Sequence, residues 1–510
     1  MNNKFKIFLK NCVNSNFNYC TFIREFDEKI LSVSRSYTEI PGPKPVPFFG
    51  NTWRFIPIIG DFNIQSIDKV SKQLHENYGD IVKIGGLLGR PDMVFLYDAN
   101  EIEKVYRQEE RMPYRPSMPS LNYYKHKLRK NWFNEEAGVI GNHGESWYNF
   151  RSKVQQVMLQ PRVAHMYIGA IEESSQAFIN RIEKIKDHHD ETPDDFLNEI
   201  HKWSVESIAQ VALNVKLDCM SDNSSDETQE LIDAIHTFFT NVGILELKIP
   251  FWKIFNTPTW KNYVKSLDTI FNFTTKYCNI AMKKSKNNKK CPDEFSLLER
   301  ILEIKGDTKL ASVLAFDLFL VGIDTTSNAI ASVLLQLASH PEKQLILHNE
   351  IMKILPSKNM KINPKNIEDL KYLKSCIKET LRLYPVVIGN GRCMTKDTII
   401  NGYHVPKGVQ VIFQHCIISN KEKYFPHCNE YLPERWMSES ERRHPFASLP
   451  FGYGRRMCLG RRFADLEMLI VLIKIIQHYK LEYKYEKLDY YINPVYTPKG
   501  PLKIKFIKRN

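Results

Sequence analysis

A chain of 510 residues with 43% hydrophobic and 12% aromatic side chains has the composition of a globular protein with a sizeable core, not of a disordered or fibrous one. The formal charge of +13 raises the question of nucleic acid, but the basic residues are interspersed with carboxylates and carry no helix-turn-helix, zinc-finger or RNA-binding signature. That pattern excludes nucleic acid and suits an acidic protein partner, while ten scattered cysteines without a CxxC exclude a zinc site or a disulfide scaffold and point to a reducing compartment.

Residues 1–24 carry Lys4, Lys6, Lys10 and Arg24 and no acid, with Phe5, Phe8, Leu9, Cys12 and Val13 on one helical stripe. A basic, acid-free amphipathic start has the character of a mitochondrial transit peptide, so residues 1–39 are read as targeting segment and linker. Its apolar run is too short to span a bilayer, so no signal anchor or transmembrane helix is expected there. In Ile40–Asn51, IPGPKPVPFFGN, four prolines in seven residues make a rigid lead-in. No linker follows, and residues 40–510 are expected to form one large domain.

IVKIGG and MVFLYD, near residues 81–98, read as short strands, and the chain is then mostly helical by periodicity to about residue 385. Within GESWYNFR, Trp147 and Arg151 share a helix face. Residues 244–255, ILELKIPFWKIF, interleave Ile244, Leu245, Leu247, Ile249, Phe251, Trp252, Ile254 and Phe255 with lysines, a pattern suited to peripheral contact with a membrane or to a lid over a pocket, and the two are compatible.

Residues 311–338 are apolar enough to resemble a membrane span, yet Asp317 and Asp324 near the middle would be costly in lipid. A buried helix of ~42 Å fits better. Inside it, in VGIDTTS, the Thr325 hydroxyl can bond the carbonyl four residues back and loosen the helix, opening a groove. Lys371, Lys374 and Lys378 then form a basic stripe, and Glu379 and Arg382 of KETLRLYP lie at i,i+3. PERW follows at 433–436.

In FGYGRRMCLG, residues 451–460, Gly452, Gly454 and Gly460 let the backbone curl tightly around Cys458. Arg455, Arg456 and the start of the next helix would stabilise its thiolate. The run at 468–477 reads as a core helix, and from Arg392 onward short strands and Pro/Gly turns surround it. The fold class is mainly α with a minor β portion.

The spacing Phe451-x-x-Gly454-x-Arg456-x-Cys458-x-Gly460 resembles the signature of the cytochrome P-450 superfamily. The Trp147/Arg151, Asp324/Thr325, Glu379/Arg382 and PERW motifs precede it in the family's order. The resemblance implies a single large P-450 fold binding haem b (iron protoporphyrin IX), with Cys458 as axial thiolate and metal ligand. Trp147, Arg151, Arg392 and Arg456 would hold the propionates, because two buried carboxylates need cationic partners. Asp324 and Thr325 would be the catalytic acid–alcohol pair that relays protons, and Glu379, Arg382 and Arg435 a structural network. The implied activity inserts one oxygen atom of O2 into an apolar substrate: a steroid, another lipid or a xenobiotic.

Lys374, Lys378, Arg461 and Arg462 resemble the docking face of the mitochondrial type, which takes electrons from an acidic [2Fe-2S] ferredoxin, itself reduced by a ferredoxin reductase. RMPYRPSMPSLNYYKHKLRK is similar to arthropod mitochondrial members. The implied location is the matrix side of the inner mitochondrial membrane, peripherally bound. Val321 departs from the family, where Ala or Gly is usual, and would narrow the pocket. Two rival readings are a haem-thiolate isomerase or dehydratase, which tends to lose the acid–alcohol pair, and a haem sensor, which needs neither relay nor docking face.

Overall fold

The computed structural model describes residues 34–509 apart from 57, 116–117, 135, 223–224, 288–293, 438–442 and 493–494. The basic, acid-free amphipathic segment of residues 1–24 lies outside the described residues. Eight helices position the site: α1 (Gly144–Met158), α2 (Ile168–Ile185), α3 (Phe196–Leu213), α4 (Asp226–Leu247), α5 (Pro258–Asn287), α6 (Thr308–Ser339), α7 (Lys371–Leu383) and α8 (Arg461–His478). The mainly α expectation holds.

The long apolar helix runs three residues further towards the N-terminus than its hydrophobic pattern. Asp307 is its N-cap and accepts hydrogen bonds from the amides of Lys309 and Leu310. Apolar residues are buried on every side of α6, as expected of a helix threaded through a core. It is long and apolar enough to cross a membrane, but 78% of its most apolar window is buried within the protein. Helices α3, α5 and α8 pack around it. The 468–477 core run likewise belongs to a longer helix, α8, whose buried Lys474 pairs with Glu172 at 2.7 Å.

The two short β stretches form a hairpin, β1 (Ile81–Ile84) antiparallel to β2 (Met93–Leu96), with Ile81 opposite Leu96. With β3 (Asn390–Cys393) and β4 (Gln410–Phe413) they make a sheet in the order β1-β2-β4-β3. Strand β4 runs parallel to β2 and antiparallel to β3, placing Arg392 opposite Val411. The hydrogen bond from the Cys393 amide to the Tyr114 carbonyl, 2.9 Å, ties this strand to the loop before α1.

Segment 244–255 departs from its contiguous reading. Its first turn completes α4, which buries Leu245, and Trp252 is buried against Trp260 with ring centroids 4.7 Å apart. Phe251, Ile254 (81% accessible) and Phe255 face outward. Trp252 therefore holds the segment down, and Phe251, Ile254 and Phe255 are its most exposed apolar side chains.

Asp317 of α6 meets Lys125 at 2.7 Å and accepts from the Val139 amide at 2.7 Å. Lys125 also donates to the carbonyls of Ala137 and Ile140, so a buried ion pair pins the loop before α1 to α6. Burial pushes the Lys125 amine down, and Asp317 opposes that shift. Asp317→Asn leaves Lys125 buried without a counter-charge and should cost about 3–5 kcal/mol in chemical denaturation, whereas Asp317→Leu with Lys125→Met should cost clearly less. Equal losses would mean that the charges do not carry the contact.

Candidate functional site

The loop before α8 folds as its glycines suggest. Gly452 and Gly454 have φ of 68° and 75°, and a Cβ on Gly454 would lie 2.6 Å from Oε2 of Glu109. The Cys458 amide donates to the Phe451 carbonyl at 2.9 Å and closes the curl. Cys458 is accessible although it is almost wholly surrounded by protein, so it faces an interior cleft and not the bulk solvent. Burial raises its thiol pKa, against which the Gly460 amide, Arg151 and Arg115 act. This corrects the expected thiolate stabilisation by Arg455 and Arg456. Arg455 is exposed, and Arg456 turns away to donate to the carbonyls of Pro113 and Asn142 at 3.0 Å.

Four arginines from four regions of the chain converge beside this cleft. Arg456 stacks on Trp147 at 3.6 Å, and Arg151 donates to the Met457 carbonyl at 3.0 Å. Arg392 donates through Nε to Glu109 at 2.6 Å, so one of its donors is already committed to a protein carboxylate. Arg115 is enclosed yet partly accessible, like Cys458. Burial, then the fields of Arg115, Arg392 and Arg151, push Arg456 down to about 9. His143 is pushed down to about 4 by burial, Arg456 and Arg115. Nε of Arg151, Nη2 of Arg456 and Nδ1 of His143 are buried without hydrogen-bond partners. Glu109 pairs with Arg392 and its field reaches Arg456, while Arg151 and Arg456 keep buried nitrogens without acceptors, which fits a dianionic flat ligand such as haem.

Sequence reasoning missed Arg115, Glu109 and His143. The signal was present for Arg115, which lies in the quoted segment between Tyr114 and Pro116.

On α6 the Thr325 hydroxyl donates to the Val321 carbonyl at 2.8 Å, the four-residue back-bond expected from its position. Thr325 and Val321 are partly accessible, whereas Asp324 is buried and turned towards α3. The adjacent acid and alcohol thus point to different surroundings.

Glu379, Arg382 and Arg435 are brought together as anticipated, and all are buried. Glu379 accepts from Arg382 at 2.8 and 2.9 Å and from Arg435 at 3.0 Å. Trp436 Nε1, at 2.8 Å, and the Leu432 amide, at 3.1 Å, complete its shell and were not anticipated. Arg382 also holds the carbonyls of Ser419 and Cys428, and Arg435 those of Pro426 and His427.

Lys374, Lys378, Arg461 and Arg462, distant in sequence, line a single surface cleft of about 410 Å³. Phe451, whose carbonyl receives the Cys458 amide, lines it too, which puts the cleft against the Cys458 loop. Lys371 of the expected stripe does not line it. Glu368 and Asp465 also line it, so the face is less uniformly basic than its sequence pattern. Arg461 Nε lies 3.5 Å from Asp465.

The family model for cytochrome P450 matches residues 40–506. The chain is similar to Probable cytochrome P450 49a1 of Drosophila melanogaster, 45% identical over 93% of this chain and 83% of that relative. It is 46% identical to Probable cytochrome P450 301a1, mitochondrial, of the same organism over 92% of this chain and 87% of the relative. Cytochrome P450 CYP12A2 of Musca domestica is 36% identical over 84% of each. With these matches and this geometry, the chain belongs to the cytochrome P450 family, as a monooxygenase whose haem is bound through an axial cysteine thiolate.

Proposed function

We propose that Cys458 is the axial ligand and that this enzyme inserts oxygen into an apolar substrate (a steroid, another lipid or a xenobiotic) with electrons from an acidic [2Fe-2S] ferredoxin, itself served by a ferredoxin reductase. The observation that carries the reading is the gathering of Lys374, Lys378, Arg461 and Arg462 around one cleft against the Cys458 loop. Haem, when bound, supplies dioxygen activation, and a thiolate ligand favours cleavage of the O–O bond. Arg115, Arg151, Arg392 and Arg456 would hold its propionates, with Trp147 packed on Arg456. Asp324 and Thr325 would move protons, Val321 would narrow the substrate space, and Glu379, Arg382 and Arg435 would hold the cysteine loop's support in place. The intact acid–alcohol pair disfavours an isomerase or dehydratase.

The domain assignment is residues 1–39 for targeting and linkage and 40–510 for haem binding. Mitochondrial location is supported by the residue 1–24 pattern and by relatives whose names include that organelle. A peripheral site on the matrix side of the inner membrane is supported by clustered apolar side chains. Arg90 donates to the carbonyls of Leu245 and Lys248, and the Leu88 amide donates to Thr52. These bonds bring the exposed Phe48 and Leu88 regions alongside Phe251, Ile254 and Phe255.

Cys458→Ser should abolish the thiolate-type spectrum of the reduced carbon monoxide complex; a normal spectrum would refute the ligand assignment. Reversing Lys374 and Lys378 to Glu should slow reduction by ferredoxin about tenfold at low salt and less at high salt, because screening weakens steering. Efficient wild-type turnover with a microsomal flavoprotein reductase and none with a ferredoxin system would overturn both partner and location. Phe251→Ser with Ile254→Ser should weaken binding to anionic vesicles while leaving thermal stability unchanged, and undiminished binding would remove the membrane contact from this segment.

A further inference from the structure

Helix α3 presents His201, Ser204 and Ser207, at three-residue spacing, towards α6 and α8. Ser204 donates to the Ile323 carbonyl at 3.5 Å, and Ser207 donates to Glu467 at 2.6 Å. Ser327 of α6 returns a hydrogen bond to the Ile200 carbonyl at 3.4 Å. This seam is buried, and its serines are satisfied. The pair beside them is not. His201 Nε2 lies 3.0 Å from Asp324 Oδ1, but off the axis of a hydrogen bond, so Nε2 remains without a hydrogen-bond partner. Asp324 Oδ2 is likewise buried and unpartnered.

Leaving two such groups incompletely bonded inside a core is costly, and stability alone would favour replacing or completing them. Their placement is graded. The His201 side chain keeps 10% of its surface accessible, against 2% for Asp324. The charged neighbours on α3 are occupied elsewhere, since Glu199 pairs with Arg181 and with Lys202, each at 2.7 Å. Among the described residues, no other ion pair reaches either His201 or Asp324.

We propose that His201 is the proton-donating residue that recharges Asp324 from the surface. This rests on the reading of Asp324 and Thr325 as the proton relay. In the step, the imidazolium Nε2–H bond breaks and an O–H bond forms on Asp324 Oδ1. The neutral imidazole keeps its Nδ1 proton, so the ring must turn to carry the bare, buried Nε2 to its accessible side, where a hydronium ion gives up a proton and leaves as water. Protonated Asp324 has lost its charge and with it the attraction to His201, which frees the carboxyl to turn towards the Thr325 side of α6. The off-axis contact suits a pair that must make and break its bond, whereas a strut would be fully bonded.

The test compares His201→Gln, His201→Lys, Asp324→Asn and Thr325→Ala in the haem-loaded full chain. Glutamine keeps a donor of similar size but cannot carry the proton. His201→Gln should reduce product formed per electron about tenfold, divert electrons to peroxide and enlarge the solvent deuterium isotope effect. Turnover driven by added hydrogen peroxide, and the thermal midpoint, should be little changed. His201→Lys should recover coupling relative to Gln. A readout independent of turnover is the infrared carboxyl band that Asp324→Asn removes. Losing the Nε2 contact at 3.0 Å changes the surroundings of that carboxyl, so the band should shift in frequency in His201→Gln.

Unchanged coupling and isotope effect in His201→Gln, alongside uncoupling in Asp324→Asn and Thr325→Ala, would overturn the inference and leave the relay standing. No uncoupling in any variant would overturn both. Parallel losses of donor-driven turnover, peroxide-driven turnover and thermal midpoint would make His201 a strut and also refute the proposal. Should the glutamine variant not fold, His201→Asn against His201→Lys provides the same comparison, and equal coupling in the two overturns the proposal.

Discussion

Glu379 has no contact with water and sits between two guanidinium groups, an indole N–H and a backbone amide. A carboxylate there is tolerable only because each oxygen is bonded more than once, and removing any one donor would leave an uncompensated charge. The consequence reaches well beyond the ion pairs. Through Arg382 the network captures carbonyls at Ser419 and Cys428, and through Arg435 those at Pro426 and His427. A stretch with little regular structure is thereby held to α7 by charge-assisted bonds. That stretch leads directly to the loop of Cys458, so the position of the sulfur depends on a carboxylate that never touches it.

The opposite electrostatic condition holds beside the sulfur. There the protein gathers Arg115, Arg151, Arg392 and Arg456, and Glu109 pairs with Arg392. Like charges depress one another, as the lowered Arg456 records, and buried nitrogens on Arg151 and Arg456 lack acceptors. One network is complete within the chain, and the other would be completed by a bound anion. Haem, with two carboxylates and an iron that favours thiolate, would answer both the unpaired guanidinium nitrogens and the raised Cys458 thiol.

What was legible in the sequence was local. Glu379 and Arg382 one turn apart, Thr325 four residues after Val321, and glycines around Cys458 each fix a geometry within a few residues. What escaped was contributed across the chain. Arg115, Glu109 and His143 reach the site from the region before α1, Trp436 joins Glu379 from 57 positions away, and His201 meets Asp324 from another helix. No spacing rule joins such pairs. The segment at 244–255 shows the converse error. Its apolar residues are contiguous, but a helix end and a 3₁₀ turn rotate Leu245 and Trp252 inward and leave Phe251 and Ile254 outside. Asp465 likewise disturbs a stripe that reads as basic because the acid is contributed by the helix after the cysteine.

Helix α6 and its neighbour α8 carry three buried acids with three different fates. Asp317 is bonded on both oxygens, by Lys125 and by the Val139 amide, and has the geometry of a strut. Glu467 accepts from the Ser207 hydroxyl at 2.6 Å, and burial raises its carboxyl to about 7. Asp324 falls between these, near a histidine yet imperfectly bonded to it. A fully satisfied acid cannot exchange its proton without breaking the fold, and an isolated one has no source from which to draw. Of the three, Asp324 alone has both a loose bond and an ionisable neighbour near the surface, and it is the one that stands next to Thr325.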